Sequence, residues 1–342
     1  MQPGLFDLEF RLDKIDASGD PLKKLNDMLG WEIFRRDIER ARDLDKERKS
    51  PAGRKPFDAV LMFKTLILQS LYGLSDDMTE YQILDRLSFM RFLGLKQGQP
   101  VPDAKTIWLF RDQLTQADAL DKLFSRFDGW LAKRGYSAKR GQIVDASIVP
   151  APVQHNTREE NEALRRGETP TAWEDHPAKL CQKDTDAAWT KKNSKTYFGY
   201  KNHVNVDVQH KLIRAWEVTS AAVHDSLMLP VLLDANNSSS KVYGDSAYRS
   251  KQTEQDLVEE GYCSEIHRKG SRGRKLSERE KQGNKTKSRI RARVEHVFGV
   301  MSRRAGGKIV RAVSWARART RIGLRNLAYN VDRYAMLESR AG

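Results

Sequence analysis

Apolar residues recur at helical spacing in several segments between positions 31 and 135 of the chain. This pattern predicts a run of short helices joined by short turns, which suits a helix-turn-helix-type bundle. A helical domain with no nucleic-acid contact fits the pattern equally well. SPAGRKP (50–56) is rich in helix breakers and is predicted to be a linker. The predicted helices are WEIFRRDIERARDLDKERK (31–49, an arm or dimer-forming helix), FDAVLMFKTLILQSLYG (57–73), MTEYQILDRLSFMRFLG (78–94, with Thr79 as cap), PDAKTIWLFRDQL (102–114) and ADALDKLFSRFDGWLAKRG (117–135).

The pattern changes at residue 141, where β-branched and alternating residues begin. GQIVDASIVP predicts a strand, 151–196 a polar loop or disordered insert, and 197–221 a hairpin in which Asp207 faces solvent. Next come a short helix (224–235) capped by Asp225 or Ser226, a strand ending in VYGD, a helix, a strand, a basic loop (268–287) and two helices. A mixed sheet of this order, flanked by helices, is the layout of ribonuclease-H-like folds. The predicted division is therefore 1–137, a helical DNA-binding or dimerisation region, and 138–342, an α/β domain.

The 342 residues carry a net charge of +15, and the excess is confined to one region. Residues 265–342 hold 22 basic and 6 acidic side chains, whereas the rest of the chain is nearly neutral. A clustered basic region predicts a polyanionic partner, most often nucleic acid. A solvated surface with a basic tail is the alternative. With neither a membrane-length apolar run nor a signal-peptide pattern, the chain is expected to be cytoplasmic, without membrane contact.

Three carboxylates occupy positions where the pattern does not call for charge. Asp145 interrupts the apolar strand IVDASIV, Asp245 ends a strand after Gly244, and Glu295 borders the apolar stripe of a helix. Each alone could be an ordinary cap or turn residue. Together they would repel one another unless they held a hard divalent cation such as Mg²⁺, and two such ions can clamp a phosphodiester. Neither a phosphate-binding glycine loop nor zinc-ligand spacing is present, so ATP and zinc are not expected.

The segments IVDASIV, YFGYKNHVNVD, VTSAAVHDS, VYGDSAYRS and RVEHVFGVMSRR, taken together, resemble the DDE transposases of bacterial insertion sequences, specifically the insertion-sequence-five family. The helical segments at 56–76 and 101–114 are similar to the N-terminal part of that family. The resemblance implies a ribonuclease-H-like core, two Mg²⁺ ions with Mn²⁺ as a substitute, and DNA cleavage with strand transfer. It also implies binding of terminal inverted repeats and of target DNA, by a homodimer or larger assembly at the bacterial nucleoid.

Carried over residue by residue, the resemblance makes Asp145, Asp245 and Glu295 the catalytic, metal-binding triad. The family's signature helix also carries a Tyr, an Arg and a Lys around its Glu. Arg291 matches the Arg, whereas Ser288 and Ser302 replace the Tyr and the Lys. The remaining candidates for DNA contact are Arg303 and Arg304, which follow the missing Lys, together with Lys201 and Tyr197.

Several alternatives stay open from the sequence. Hairpin packing explains Tyr197 as well as DNA contact does. N-capping is favoured over metal binding for Asp225, and structural or DNA-contacting roles are favoured for His203 and His224. A metal-dependent nuclease without strand transfer, and an inactive DNA-binding protein derived from a transposase, are the alternative functions.

Overall fold

The computed structural model describes residues 7–43, 55–270, 273–304 and 309–341. The chain divides into two compact units. The first comprises Met1–Lys133, Arg303–Gly306 and Leu327–Gly342, and the second comprises Arg134–Ser302 and Gly307–Asn326. Most of the predicted linker at 50–56 lies outside the described residues. The end of the chain, which the hydropathy pattern assigns to the α/β domain, is grouped with the first unit from residue 327 onward.

The first unit is helical, as the apolar spacing predicts. Its α4, Ala59–Tyr72, is capped at its start by Asp58, whose side chain accepts hydrogen bonds from Val60 N and Leu61 N, and at its end by Gly73 with φ 65°. The helix bounds are α1 Asp7–Ala17, α2 Pro21–Met28, α3 Arg35–Asp43, α4 Ala59–Tyr72, α5 Asp76–Asp85, α6 Leu87–Leu93, α7 Ala104–Gln116 and α8 Leu120–Lys133. A 3₁₀ helix, Trp31–Phe34, precedes α3.

The single helix predicted over 78–94 is wrong, because the chain breaks it at Arg86. This residue has extended backbone angles (φ −108°, ψ 115°), so α5 ends and α6 begins there. The predicted cap is also wrong: Ser75 accepts the hydrogen bond from Met78 N, while Thr79 is fully buried. An N-cap must precede the first helical turn, and the polar Asp76-Asp77 pair hid that start from the hydropathy pattern.

The second unit is built on a mixed sheet. Within the described residues the strand order is β4-β3-β1-β5-β6, with β1, β3 and β4 antiparallel and with β5 and β6 parallel to β1. This order confirms the predicted ribonuclease-H-like layout. The strands are β1 Gln142–Pro150, β2 Ala188–Lys192, β3 Lys195–Asp207, β4 Ile213–Ser220, β5 Lys241–Tyr243 and β6 Cys263–Ser264. The helices of this unit are α9 Arg158–Arg165, α10 Thr171–Glu174, α11 Pro177–Leu180, α12 Leu229–Leu232, α13 Lys251–Glu259, most of α14 Glu278–Arg304 and the first part of α15 Trp315–Ala341.

Two predicted loops contain regular structure. Residues 151–196 hold α9, α10, α11 and β2, and they fold around the fully buried Trp173. The predicted basic loop at 268–287 ends at Ser277, because a capping box starts α14 at Glu278. In that box Glu280 N donates to Ser277 Oγ and Ser277 N donates to Glu280 Oε2.

Both faces of the sheet are covered. On one face Val144 of β1 packs with Leu229, Leu232, Tyr248 and Leu257 in a closed apolar cluster. On the other face the part of α15 up to Asn326 packs against the sheet, where Asn202 and Asn326 exchange hydrogen bonds. No helix of the described residues is long and apolar enough to span a membrane.

Candidate active site

The structure places the two predicted aspartates at the same level on neighbouring strands. Strands β1 and β5 are parallel, with Ile143 opposite Tyr243. Asp145 and Asp245 each follow two residues later, Asp145 inside β1 and Asp245 just beyond the end of β5. Burial is the main cause that raises the pKa of Asp145, and the nearby charge of Asp245 adds to it. Asp145 and Asp245 thus form a negatively charged pair beside the carboxyl end of β5, which we call the acidic edge.

Asp145 is partly buried, with 15% of its side chain exposed. Its Oδ2 lies 3.0 Å from Nη2 of Arg291, and its Oδ1 accepts a hydrogen bond from Ala146 N. Burial raises the pKa of Asp145, whereas the Arg291 guanidinium opposes that rise. One oxygen of the carboxylate is therefore already held by a cation of the chain itself.

Asp245 is held by the turn that follows its strand. Its Oδ1 accepts a hydrogen bond from Ala247 N at 2.7 Å and so caps the 3₁₀ helix Ser246–Tyr248. Gly244 lets this turn pack tightly, since a Cβ there would meet the Tyr248 ring at 3.3 Å. The cap fixes the direction of Asp245 relative to β5.

Glu295 is not brought into the same cluster. It is exposed on α14, one helical turn after Arg291, the residue through which this helix reaches Asp145. Across the described residues no group of three or more His, Cys, Asp or Glu side chains is arranged to hold a metal ion. Two oxygen-donating carboxylates suit a hard divalent cation in kind. Arg291 occupies the place beside Asp145 that such a cation would need.

Tyr248 is a residue that the sequence analysis missed. Its ring is 1% exposed, and its hydroxyl has no hydrogen-bond partner among the described residues. Burial raises the pKa of Tyr248, and the charges of Asp145, Asp225 and Asp245 act in the same direction. The hydroxyl is therefore buried close to the acidic edge. The sequence signal that could have identified it is its position three residues after Asp245, which is one turn of a 3₁₀ helix.

Asp225 does not cap the segment after β4, contrary to the favoured interpretation. The cap is His224, whose Nδ1 accepts from Ser226 N, while Asp225 Oδ1 lies 2.8 Å from Nζ of Lys201. Lys201, predicted to contact DNA, also donates to the Val223 carbonyl at 2.6 Å. Both side chains are thus committed to this internal contact.

The other candidates have varied settings. Tyr197 is half-buried on β3 and Arg303 is exposed on α14, whereas the side chain of Arg304 lies outside the described residues. His203 is buried, with Nε2 at 2.8 Å from Thr219 Oγ1. The serines at the missing signature positions are close to other groups: Ser288 Oγ lies 3.3 Å from His267 Nε2, and Ser302 Oγ donates to the Phe298 carbonyl.

Asp207 is buried, and the prediction that it faces solvent is wrong. It accepts hydrogen bonds from His210 N and Leu212 N, and it forms an ion pair with Arg214 at 3.1 Å. A carboxylate can be buried in an apolar strand pattern when a turn and a cation satisfy it. The Asp207 carboxylate thus joins the end of β3 to the turn and to β4.

Residues 136–331 match the family described as "Transposase DDE domain", and residues 10–113 match "Transposase domain (DUF772)". The first match covers more than half of the chain, which therefore belongs to the DDE-domain transposases, a class of enzymes that cleave and join DNA. Among solved structures, a piggyBac transposase synaptic complex with hairpin DNA is similar at 11% identity and a TM-score of 0.46, covering 91% of this chain and 75% of that chain.

Proposed function

We propose that the protein is the transposase of a bacterial insertion sequence of the insertion-sequence-five type. It binds the terminal inverted repeats of its element, cleaves the DNA at the ends and joins the freed ends to target DNA. The observation that carries the proposal is the placement of Asp145 in β1 and of Asp245 just beyond the neighbouring parallel strand β5, with α14 joined to Asp145 through Arg291. Family membership supports it independently.

Asp145, Asp245 and Glu295 would be the ligands of two Mg²⁺ ions, for which Mn²⁺ could substitute. When bound, these ions activate the attacking oxygen and neutralise charge on the phosphodiester. Asp145 is the fixed ligand, because it is part of a central strand, and Asp245 is oriented by its bond from Ala247 N. Glu295, one helical turn after Arg291 on α14, would complete the ligand set.

Arg291 has two successive roles in this proposal. In the free protein it neutralises Asp145, because a buried carboxylate without a partner is costly. With DNA bound, it turns to a backbone phosphate near the cleaved bond, where a guanidinium forms charge-assisted hydrogen bonds. Arg303, Arg304 and Tyr197 would contact the DNA further away. The basic C-terminal region would supply affinity through phosphate contacts rather than sequence reading.

The test is strand cleavage and joining on a plasmid that carries the gene with its native flanks. The protein is compared with Asp245→Asn and with the matched control Asp256→Asn, an acidic residue on α13 that contacts Gln252. Specific nicks at the element ends and joined products are expected for the wild type and the control with Mg²⁺. Both should be lost in Asp245→Asn.

Two other results would replace the proposal. Nicking at the ends without joined products would identify a nuclease that lacks strand transfer. Binding to the flanks without cleavage in Mg²⁺ or Mn²⁺ would identify a DNA-binding derivative. The position of Glu295 outside the aspartate cluster is the observation that favours this derivative.

A further inference from the structure

A two-stranded ribbon extends beyond the sheet at the start of β3. β1 pairs with β3 from residue 199 onward and β4 pairs with it from residue 200 onward, so residues 195–198 are paired with β2. We call residues 188–198 the basic ribbon. It is formed by β2, a two-residue turn and the first residues of β3.

The ribbon has the geometry of a stiff hairpin. Asn193 (φ 48°) and Ser194 (φ 64°) both have left-handed backbone angles, as a type I′ turn requires, and this turn matches the natural twist of two strands. At its base the Trp189 and Phe198 rings contact each other with centroids 5.3 Å apart. Trp189 is nevertheless 44% exposed. The tip is thus held in a defined direction.

The tip carries concentrated positive charge. Lys191, Lys192 and Lys195 are exposed, and no Asp or Glu occurs between Asp186 and Asp207. None of the three lysines forms an ion pair within the described part of the chain. Lys192 lies directly opposite Lys195 in the strand register, and like charges at opposed positions destabilise a hairpin. A polyanion between the two lysines would remove that repulsion.

We propose that the basic ribbon is a DNA-contacting arm that enters the major groove of the duplex being processed. This inference rests on the proposed function, since it assigns a further contact to the same substrate. A two-stranded β-ribbon is one of the elements that the major groove admits. The exposed lysines face the phosphates on either side, and Trp189 and Tyr197 give the ribbon an apolar body.

The strand register also gives the distance between the tip of the basic ribbon and Asp145. Asp145 lies opposite Val204, which is nine residue positions after Lys195 along β3. At ~3.3 Å per residue the tip is about 30 Å along the strand from the acidic edge. At ~3.4 Å per base step, this is about one helical turn of DNA. The ribbon therefore contacts the duplex about one turn away from the cleaved bond.

The experiment measures the salt dependence of binding to a mixed-sequence 40-bp duplex by fluorescence anisotropy. Wild type is compared with Lys192→Gln/Lys195→Gln and with Lys241→Gln/Lys251→Gln, a matched loss of two exposed lysines at the start of β5 and of α13. Each lost phosphate contact lowers the slope of log K against log salt by ~0.9, so the ribbon variant should lose about 1.8. The control should keep the wild-type slope.

A melting curve accompanies each variant. The ribbon variant is expected to melt at or above the wild-type temperature, because it removes a repulsion, so lost affinity is not lost folding. An unchanged slope in this variant would overturn the arm while leaving the proposed function in place. Failure of the wild type to bind duplex DNA at all would overturn the proposed function, and the arm with it.

Discussion

At the scale of single residues, two buried tyrosines give opposite predictions for the same change. Tyr248→Phe removes a hydroxyl that has no partner in the described structure, whereas Tyr200→Phe removes one that donates to Asp184 at 2.7 Å. An unsatisfied buried group costs ~1–3 kcal/mol, and a hydrogen bond to a charged group contributes ~1.5–3 kcal/mol. Tyr248→Phe should therefore raise the free energy of unfolding by about 1 kcal/mol, and Tyr200→Phe should lower it by about 2 kcal/mol.

Urea denaturation of the metal-free protein measures both values. Tyr243→Phe, also on the β5 side, serves as the control for loss of a phenol at a largely buried position. If Tyr248→Phe were destabilising by more than 1 kcal/mol, the hydroxyl would have a partner in solution, and its place beside the acidic edge would need another explanation.

Individual residues also show what the sequence could reveal. The placement of Asp145 and Asp245 near each other was predictable, because Asp145 interrupts one apolar strand, Asp245 ends another, and a ribonuclease-H-like order makes these strands neighbours. Asp207 was not, since its alternating context is identical for a buried and an exposed carboxylate. Only the hairpin that brings Arg214 to 3.1 Å distinguishes the two. Tyr248 was missed because hydropathy treats a buried phenol as core, whether or not its hydroxyl is satisfied.

At the scale of elements, one carboxylate links the three helices of the insert between β1 and β2. Glu160 of α9 accepts hydrogen bonds from Trp173 Nε1 at 2.5 Å and from Lys179 Nζ at 2.9 Å. The Lys179 hydrogen bond, helped by Thr157 N and Trp173, lowers the pKa of Glu160 to about 2 against the opposing effect of burial. The carboxylate stabilises the insert when ionised.

The stability of the insert should fall in acid. An acid whose pKa is lowered on folding stabilises the fold above its unfolded pKa of 4.5 and loses that stabilisation as the pH falls from 4.5 towards 2. The indole N–H resonance of Trp173, assigned with Trp173→Phe, should therefore shift and broaden in this window. Glu160→Gln should remove the window. Glu162→Gln, a control that removes the partner of the exposed Arg158, should keep the pH-dependent change. A Trp173 resonance that stays unchanged down to pH 2.5 in wild type would contradict the stabilising role of ionised Glu160.

Helix ends were predictable where the sequence contains a recognisable capping residue. Gly73 ends α4 as the sequence predicts. The start of α14 is marked by the capping-box pattern Ser277-x-x-Glu280. The many basic residues around this pattern favoured a loop prediction instead. The insert was harder, because its helices are short and its core is a single tryptophan. No periodicity can be read from segments of four to eight residues.

At the scale of the whole molecule, DNA binding and catalysis should separate when metal is removed. The basic excess at 265–342 does not depend on the acidic edge, and phosphate contacts persist without divalent ions. EDTA should therefore abolish nicking and joining while leaving the affinity for a flank duplex within about threefold. Mn²⁺ should restore cleavage. Affinity that falls together with activity in EDTA would instead indicate that metal is needed to build the DNA-binding surface.

The number of active sites sets the expected assembly on DNA. One chain carries one pair of Asp145 and Asp245, whereas an element has two ends that must both be cleaved and joined. Two flank duplexes, one labelled with a donor and one with an acceptor fluorophore, should therefore show energy transfer when the protein is added. The mass of the complex by sedimentation should correspond to at least two chains and two duplexes. Duplexes of unrelated sequence should give no transfer. Joining of both ends in complexes that contain a single chain would contradict the expected dimer, and one acidic edge would then have to process the two ends in turn.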